Sequence, residues 1–339
     1  MMKKKIICTI GPSSSNKAVL LGLKKSGVDI FRINLSHTSL KQLSSKIDLL
    51  KKNKIKNICI DTEGAQARTT KVKRQIFFKK NKKVKIYIKD NYSNKNTIYL
   101  YPNFNLMSVK IGSKIFIGFD NLEIKVLKKN LKEKFLVGKV TNNGLLESNK
   151  SVHFNCNIKL PPLTEKDIAA IKYSIKNSIK IFAMSFVNNS KDVDKIRSLI
   201  GKKTFLISKI ETDNAIKNLK SILKQSNALL IDRGDLSRYV RIEKIPLAQR
   251  YICNIAKQNK TPVYVATNLL ESMVKNIQPT RAESNDIFTT LENGANGLVL
   301  AAESAIGNYP ILAANFLKDC INVFAHKKKI SKKNLYLFN

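Results

Sequence analysis

A chain of 339 residues is long enough for one large domain, or for a domain interrupted by an insertion. Its 62 Lys and Arg against 24 Asp and Glu leave a net charge of +38, but nine arginines among scattered lysines do not make a specific nucleic-acid surface. No apolar run approaches the ~18 residues of a membrane span, and five widely spaced cysteines without a CxxC pair argue against a disulfide framework or zinc site.

The Met1–Lys5 start runs straight into a strand-like segment without a small-residue cleavage site. It reads as the start of a mature, cytoplasmic protein. Strands are expected at Lys4–Ile10, Val28–Asn34 and Asn57–Asp61, with helices Asn16–Ser26 and Leu40–Lys52 between them. Such alternation at short spacing predicts a parallel sheet. Over 69–157 the rhythm changes to short alternating runs, among them Val84–Ile88, Thr97–Tyr101, Lys114–Ile117 and Phe135–Val140, broken by Gly, Asn and Asp. This predicts a small inserted all-β domain.

After Pro161-Pro162 the alternation resumes, with Thr164 as the expected cap of a helix Glu165–Lys176. Strands follow at Ile179–Phe186, Thr204–Ile210, Ala228–Asp232, Pro262–Thr267 and Gly297–Ala301. The predicted helices are Lys191–Ile200, Asp213–Gln225, Pro246–Gln258, Arg281–Asn293 and Tyr309–Phe324. Eight strands and eight helices over 1–68 and 158–326, in the roughly 250 residues left when 69–157 is set aside, predict an α/β fold: a TIM (β/α)8 barrel. Residues 327–339 form a basic tail.

The chemistry gathers around two apolar runs that end in charge, Leu206-Ile-Ser-Lys-Ile-Glu-Thr212 and Leu229-Leu-Ile-Asp-Arg-Gly-Asp-Leu236. Fully apolar runs read as strands buried on both faces. Glu211 and Asp235 then lie just past the carboxyl ends of neighbouring parallel strands, with Lys209 beside them. Two carboxylates there suit a hard cation such as Mg²⁺, and the ammonium suits an anionic substrate. Taken alone, the same residues also read as solvated loop acids.

Lys209-Ile-Glu211 and Asp232-Arg-Gly-Asp-Leu236 resemble the magnesium-binding motifs of the pyruvate kinase family. The resemblance runs in order through Cys8-Thr-Ile-Gly-Pro12, Arg32-Ile-Asn-Leu-Ser-His37, Asp61-Thr-Glu-Gly64, Leu163-Thr-Glu-Lys-Asp167, Ala266-Thr-Asn-Leu-Leu-Glu-Ser-Met273, Pro279-Thr-Arg-Ala-Glu283 and Glu303-Ser-Ala-Ile-Gly-Asn-Tyr-Pro310. It implies transfer of a phosphoryl group from phosphoenolpyruvate to ADP, giving pyruvate and ATP in glycolysis. The β insertion becomes the family's lid domain.

By the same resemblance, Arg32 and Arg68 face the transferring phosphoryl group, and Lys209 stabilises the enolate oxygen. Glu211 and Asp235 bind Mg²⁺. The main chain at Arg233-Gly234 holds the substrate carboxylate, and Thr267 stands near the methylene carbon. Pro12, Asn34, His37 and Arg68 match nucleotide-binding positions, while Asn34, Ser36, Asp61 and Thr62 match a K⁺ site. Gln66, where the family carries Glu or Lys, leaves the K⁺ requirement open. Other departures are Glu63, Ala301, Ile306 and the Ser237–Arg241 segment, whose Arg238 and Arg241 add two cations downstream of Asp235. They leave room for another acceptor, or for a Mg²⁺-dependent lyase or aldolase of 2-oxo acids on the same barrel. The chain ends after the eighth helix, which predicts that the family's C-terminal regulatory domain and its effector site are absent. Any homo-oligomer would then form through barrel contacts.

Overall fold

The computed structural model describes residues 3–118, 122–156 and 158–326, so the basic tail expected at 327–339 lies outside the described residues. Backbone contacts divide the chain into two units, Met1–Glu63 with Glu165–Asn339, and Gly64–Thr164. Eight strands of the first unit close into a barrel: β1 Lys5–Thr9, β2 Ile30–Asn34, β3 Ile58–Asp61, β4 Ile181–Met184, β5 Phe205–Ile210, β6 Ala228–Asp232, β7 Val263–Ala266 and β8 Gly297–Leu300. Every neighbouring pair is parallel, and closure comes from β8 lying against β1, from Lys5↔Gly297 to Cys8↔Leu300. Gly297 is required at that seam. A Cβ there would sit 2.6 Å from the Lys5 carbonyl oxygen and 2.9 Å from the Tyr264 ring.

The barrel interior is filled by Ile7, Ile30, Cys59, Ala183, Ile207, Ala228, Leu230, Tyr264, Ala266 and Val299. Side chains alternate along a strand, so the residue two places on points to the same face. Two places after six of these lie Thr9, Arg32, Asp61, Ser185, Lys209 and Asp232, all buried. The sequence thus caps an apolar core with a polar layer at the carboxyl ends of the strands, where sites form on this fold.

Helices surround the barrel at Lys17–Lys25, Leu40–Lys52, Glu165–Lys176, Ser190–Ile200, Ile245–Gln258, Arg281–Glu292 and Pro310–His326. The single helix expected over Asp213–Gln225 is instead two short ones, Asp213–Lys217 and Leu219–Leu223. At the break, Asn218 donates its side-chain amide to the carbonyl of Asn188, at 2.9 Å.

The second unit is a closed seven-stranded barrel in the order Phe135–Val140, Lys83–Ile88, Thr97–Tyr101, Ala67–Thr69, Ser151–Phe154, Lys114–Ile117 and Leu122–Asn130. A two-stranded piece, Ile76–Phe78 with Gly144–Leu146, accompanies it. Ile86, Ile98, Leu100, Ile115, Ile124 and Leu136 sit in its core. The strands Ala67–Thr69, Gly144–Leu146 and Ser151–Phe154 were not expected.

Candidate active site

Lys209, on β5, is only 3 % exposed, and its ammonium stands among carboxylates. Nζ lies 2.7 Å from Glu211 Oε1, 3.3 Å from Asp232 Oδ2 and 3.4 Å from Asp61 Oδ2, and donates to Ser185 Oγ at 3.1 Å. Burial alone would lower its pKa, but Asp61, Glu211 and Asp232 outweigh burial and hold it raised. The ammonium is therefore a fixed positive charge.

Arg32, on β2, donates from Nε to Thr9 Oγ1 at 2.9 Å and from Nη1 to Asp61 Oδ2 at 3.2 Å. Asp61 also accepts from the Ser185 hydroxyl. The structure thus brings Arg32, Asp61 and Lys209 together. Thr62 accepts from the Ser185 N–H at 3.0 Å. Asn34, opposite Asp61 in the strand register, accepts from its own turn at Ser36 N–H, 2.9 Å away.

Ligand oxygens of Glu211, Asp232 and Asp235 lie within 4.8 Å of one another. Glu211 is anchored by the Phe186 N–H on Oε2, and Phe186 adopts a left-handed backbone, φ 52°, to present it. Glu211 Oε1 is buried and meets the Lys209 ammonium without a hydrogen-bond geometry. Burial, reinforced by Asp235 and Asp232, pushes the Glu211 carboxyl up to about 8 against the pull of Lys209. Asp232 goes the other way: burial opposes its charge, but Lys209 and then Arg32 lower it. Three carboxylates whose oxygens gather so closely fit a hard divalent cation, which takes oxygen ligands. Glu211, Asp232 and Asp235 would hold it.

Thr267 follows β7 with φ 71°, an outlier for a β-branched residue and the kind of strain that collects at functional sites. Its hydroxyl accepts from the Gly234 N–H at 2.8 Å and lies 3.3 Å from Asp232 Oδ1. The Arg233 side chain has partners of its own. Its guanidinium grips Asp286 at 2.7 and 2.9 Å and donates to the Thr267 carbonyl at 2.6 and 3.1 Å. It therefore braces the strained Thr267 turn.

Pro12 and His37 are exposed, in the short turns Pro12–Ser14 and Leu35–His37 that follow β1 and β2. Arg68 belongs to the second unit, on the strand Ala67–Thr69, and donates to the Asn149 carbonyl at 3.2 Å. Glu303 is buried and accepts from the main-chain N–H groups of Leu270 and Ala301, at 3.1 and 2.8 Å. Glu63 and Lys166 form an ion pair at 2.8 Å, and Lys166 also donates to the Leu35 carbonyl. Asp232 and Ser185 were missed as site residues. The signal was available for both, since each stands two places after an inward apolar residue on its strand.

A family model described as the pyruvate kinase barrel domain matches residues 1–314. Pyruvate kinase of Dictyostelium discoideum is 32 % identical over 93 % of this chain and 65 % of its own length. Plastidial pyruvate kinase 3 of Arabidopsis thaliana is 32 % identical over 93 % and 57 %. The crystal structure of Cryptosporidium parvum pyruvate kinase superposes with a TM-score of 0.88 at 29 % identity, covering 99 % of this chain and 73 % of that one. The chain spans 57–65 % of the length of these two curated relatives. With the parallel barrel, its polar cap and the matched model in agreement, this chain belongs to the pyruvate kinase family.

Proposed function

We propose that the chain transfers the phosphoryl group of phosphoenolpyruvate to ADP, yielding ATP and, after protonation of the enolate, pyruvate. The observation that carries this reading is the Lys209 ammonium fixed at the strand ends beside the converging carboxylates of Glu211, Asp232 and Asp235. A bound Mg²⁺ would supply charge neutralisation for the substrate's carboxylate and phosphoryl oxygens. Lys209 faces the negative charge that grows on the enolate oxygen, and its buried position strengthens that attraction. Arg32, oriented by Thr9 and Asp61, stands ready to receive phosphoryl oxygens. The Thr267 hydroxyl is assigned to the proton path to the methylene carbon, and Arg233 to holding that turn. The assignments of Arg68, Pro12 and His37, and of K⁺ at Asn34, Ser36, Asp61 and Thr62, rest on their motifs.

Positioning and charge neutralisation account for catalysis of this kind. A cytoplasmic location belongs to the same proposal; no helix among the described residues is long and apolar enough to cross a membrane. The test is direct. Purified protein given phosphoenolpyruvate, ADP, Mg²⁺ and K⁺ should form pyruvate and ATP in equal amounts, and a chelator should stop both. Pyruvate released without ATP, or no turnover, would overturn the proposal.

A further inference from the structure

We propose that Arg238 weakens divalent-cation binding at the Glu211, Asp232 and Asp235 cluster and enlarges the gain in cation affinity that an anionic ligand brings. The inference deepens the proposed phosphotransfer and rests on reading that cluster as a metal site. Arg238 Nε lies 3.5 Å from Asp235 Oδ1, one helical turn away, and its side chain is only 12 % exposed. Arg241 is different: it is 78 % exposed and paired with Glu243 at 2.6 Å. Of the two cations this segment adds to the family pattern, Arg238 is the one set against the site.

With Glu211 ionised, as a cation ligand must be, Asp61, Glu211, Asp232 and Asp235 bring four negative charges, and Arg32 and Lys209 bring two positive ones. That balance of −2 matches a divalent ion. Arg238 moves it to −1. Cation affinity follows the charge of the ligand set, and a unit charge about 5 Å from a divalent ion in a water-like dielectric shifts affinity roughly tenfold. A small dianion restores what Arg238 removes, because it offsets the guanidinium and adds oxygen ligands. Cation and anion are then coupled, each tightening the other by the same factor.

The experiment titrates Mn²⁺, followed by its paramagnetic resonance, with and without oxalate as a probe dianion. In the unmodified protein, oxalate should tighten Mn²⁺ at least tenfold, and an absence of coupling would overturn the inference without any variant. Arg238→Gln should tighten Mn²⁺ alone roughly tenfold and shrink the gain from oxalate. Arg238→Lys, which keeps the charge, should stay within about twofold of the unmodified protein. An unchanged or weaker Mn²⁺ affinity in Arg238→Gln, or a lysine variant that behaves like the glutamine one, contradicts the inference and leaves Arg238 a brace of its loop. Asp235→Asn separates the two readings. If it binds Mn²⁺ as tightly as the unmodified protein, the metal site itself is wrong.

Discussion

Lys209 shows how one residue can be both a structural liability and the centre of the proposed chemistry. The carboxylates of Asp61, Glu211 and Asp232 are buried around it, and removing a partner from such a group leaves charge without compensation. Lys209→Met should therefore destabilise the fold by about 3–5 kcal/mol, measured by urea unfolding at neutral pH. A loss below about 1 kcal/mol would mean that the ammonium does not hold these acids. Lys209, Glu211 and Asp235 were legible in the sequence because their motifs stand at abrupt apolar-to-charged transitions. The pairing of the Arg233 side chain was not, because its partner Asp286 comes from a helix 53 residues away. No local pattern specifies that meeting.

At the scale of elements, the order of strands and helices was readable, since each barrel strand is a short apolar run and each long helix has an apolar stripe. What escaped were short pieces and the ties between distant segments. Glu303 is an example. It stands in a motif altered at Ala301 and Ile306, and its carboxylate holds the main chain after β7 to the main chain after β8. Thr9 and Ser304 add a second tie, through the Thr9 N–H on Ser304 Oγ at 3.0 Å and the Ser304 hydroxyl on the Thr9 carbonyl at 2.9 Å. Glu303→Ala would leave two main-chain N–H groups without their acceptor, so a loss of roughly 2–4 kcal/mol is expected. Thermal and urea unfolding of the alanine and glutamine variants would check this. Glutamine, which keeps one acceptor oxygen, should cost less than alanine, and equal costs would remove the hydrogen-bond explanation.

Over the whole molecule, the net charge of +38 is a property of scattered lysines, whereas the site is organised by a nearly balanced set of buried charges. The excess therefore bears on encounter with anions, an attraction screened over about 8 Å at physiological ionic strength, and leaves the proposed chemistry to the strand ends. The fold of the barrel unit and its membership of the pyruvate kinase family agree with the motifs read in order along the chain. The central claim is that phosphoryl transfer depends on the carboxylate cluster at those ends. Asp235 tests it most cleanly, because its side chain is 27 % exposed and its replacement by Asn disturbs the core least. The decisive measurement is kcat/KM for ATP formation from phosphoenolpyruvate and ADP, in the unmodified protein and in Asp235→Asn, with unfolding curves for both. The account predicts a fall of about a thousandfold or more, roughly 4 kcal/mol of transition-state stabilisation, with stability nearly unchanged. An Asp235→Asn protein that keeps its fold and turns over at the unmodified rate would contradict it.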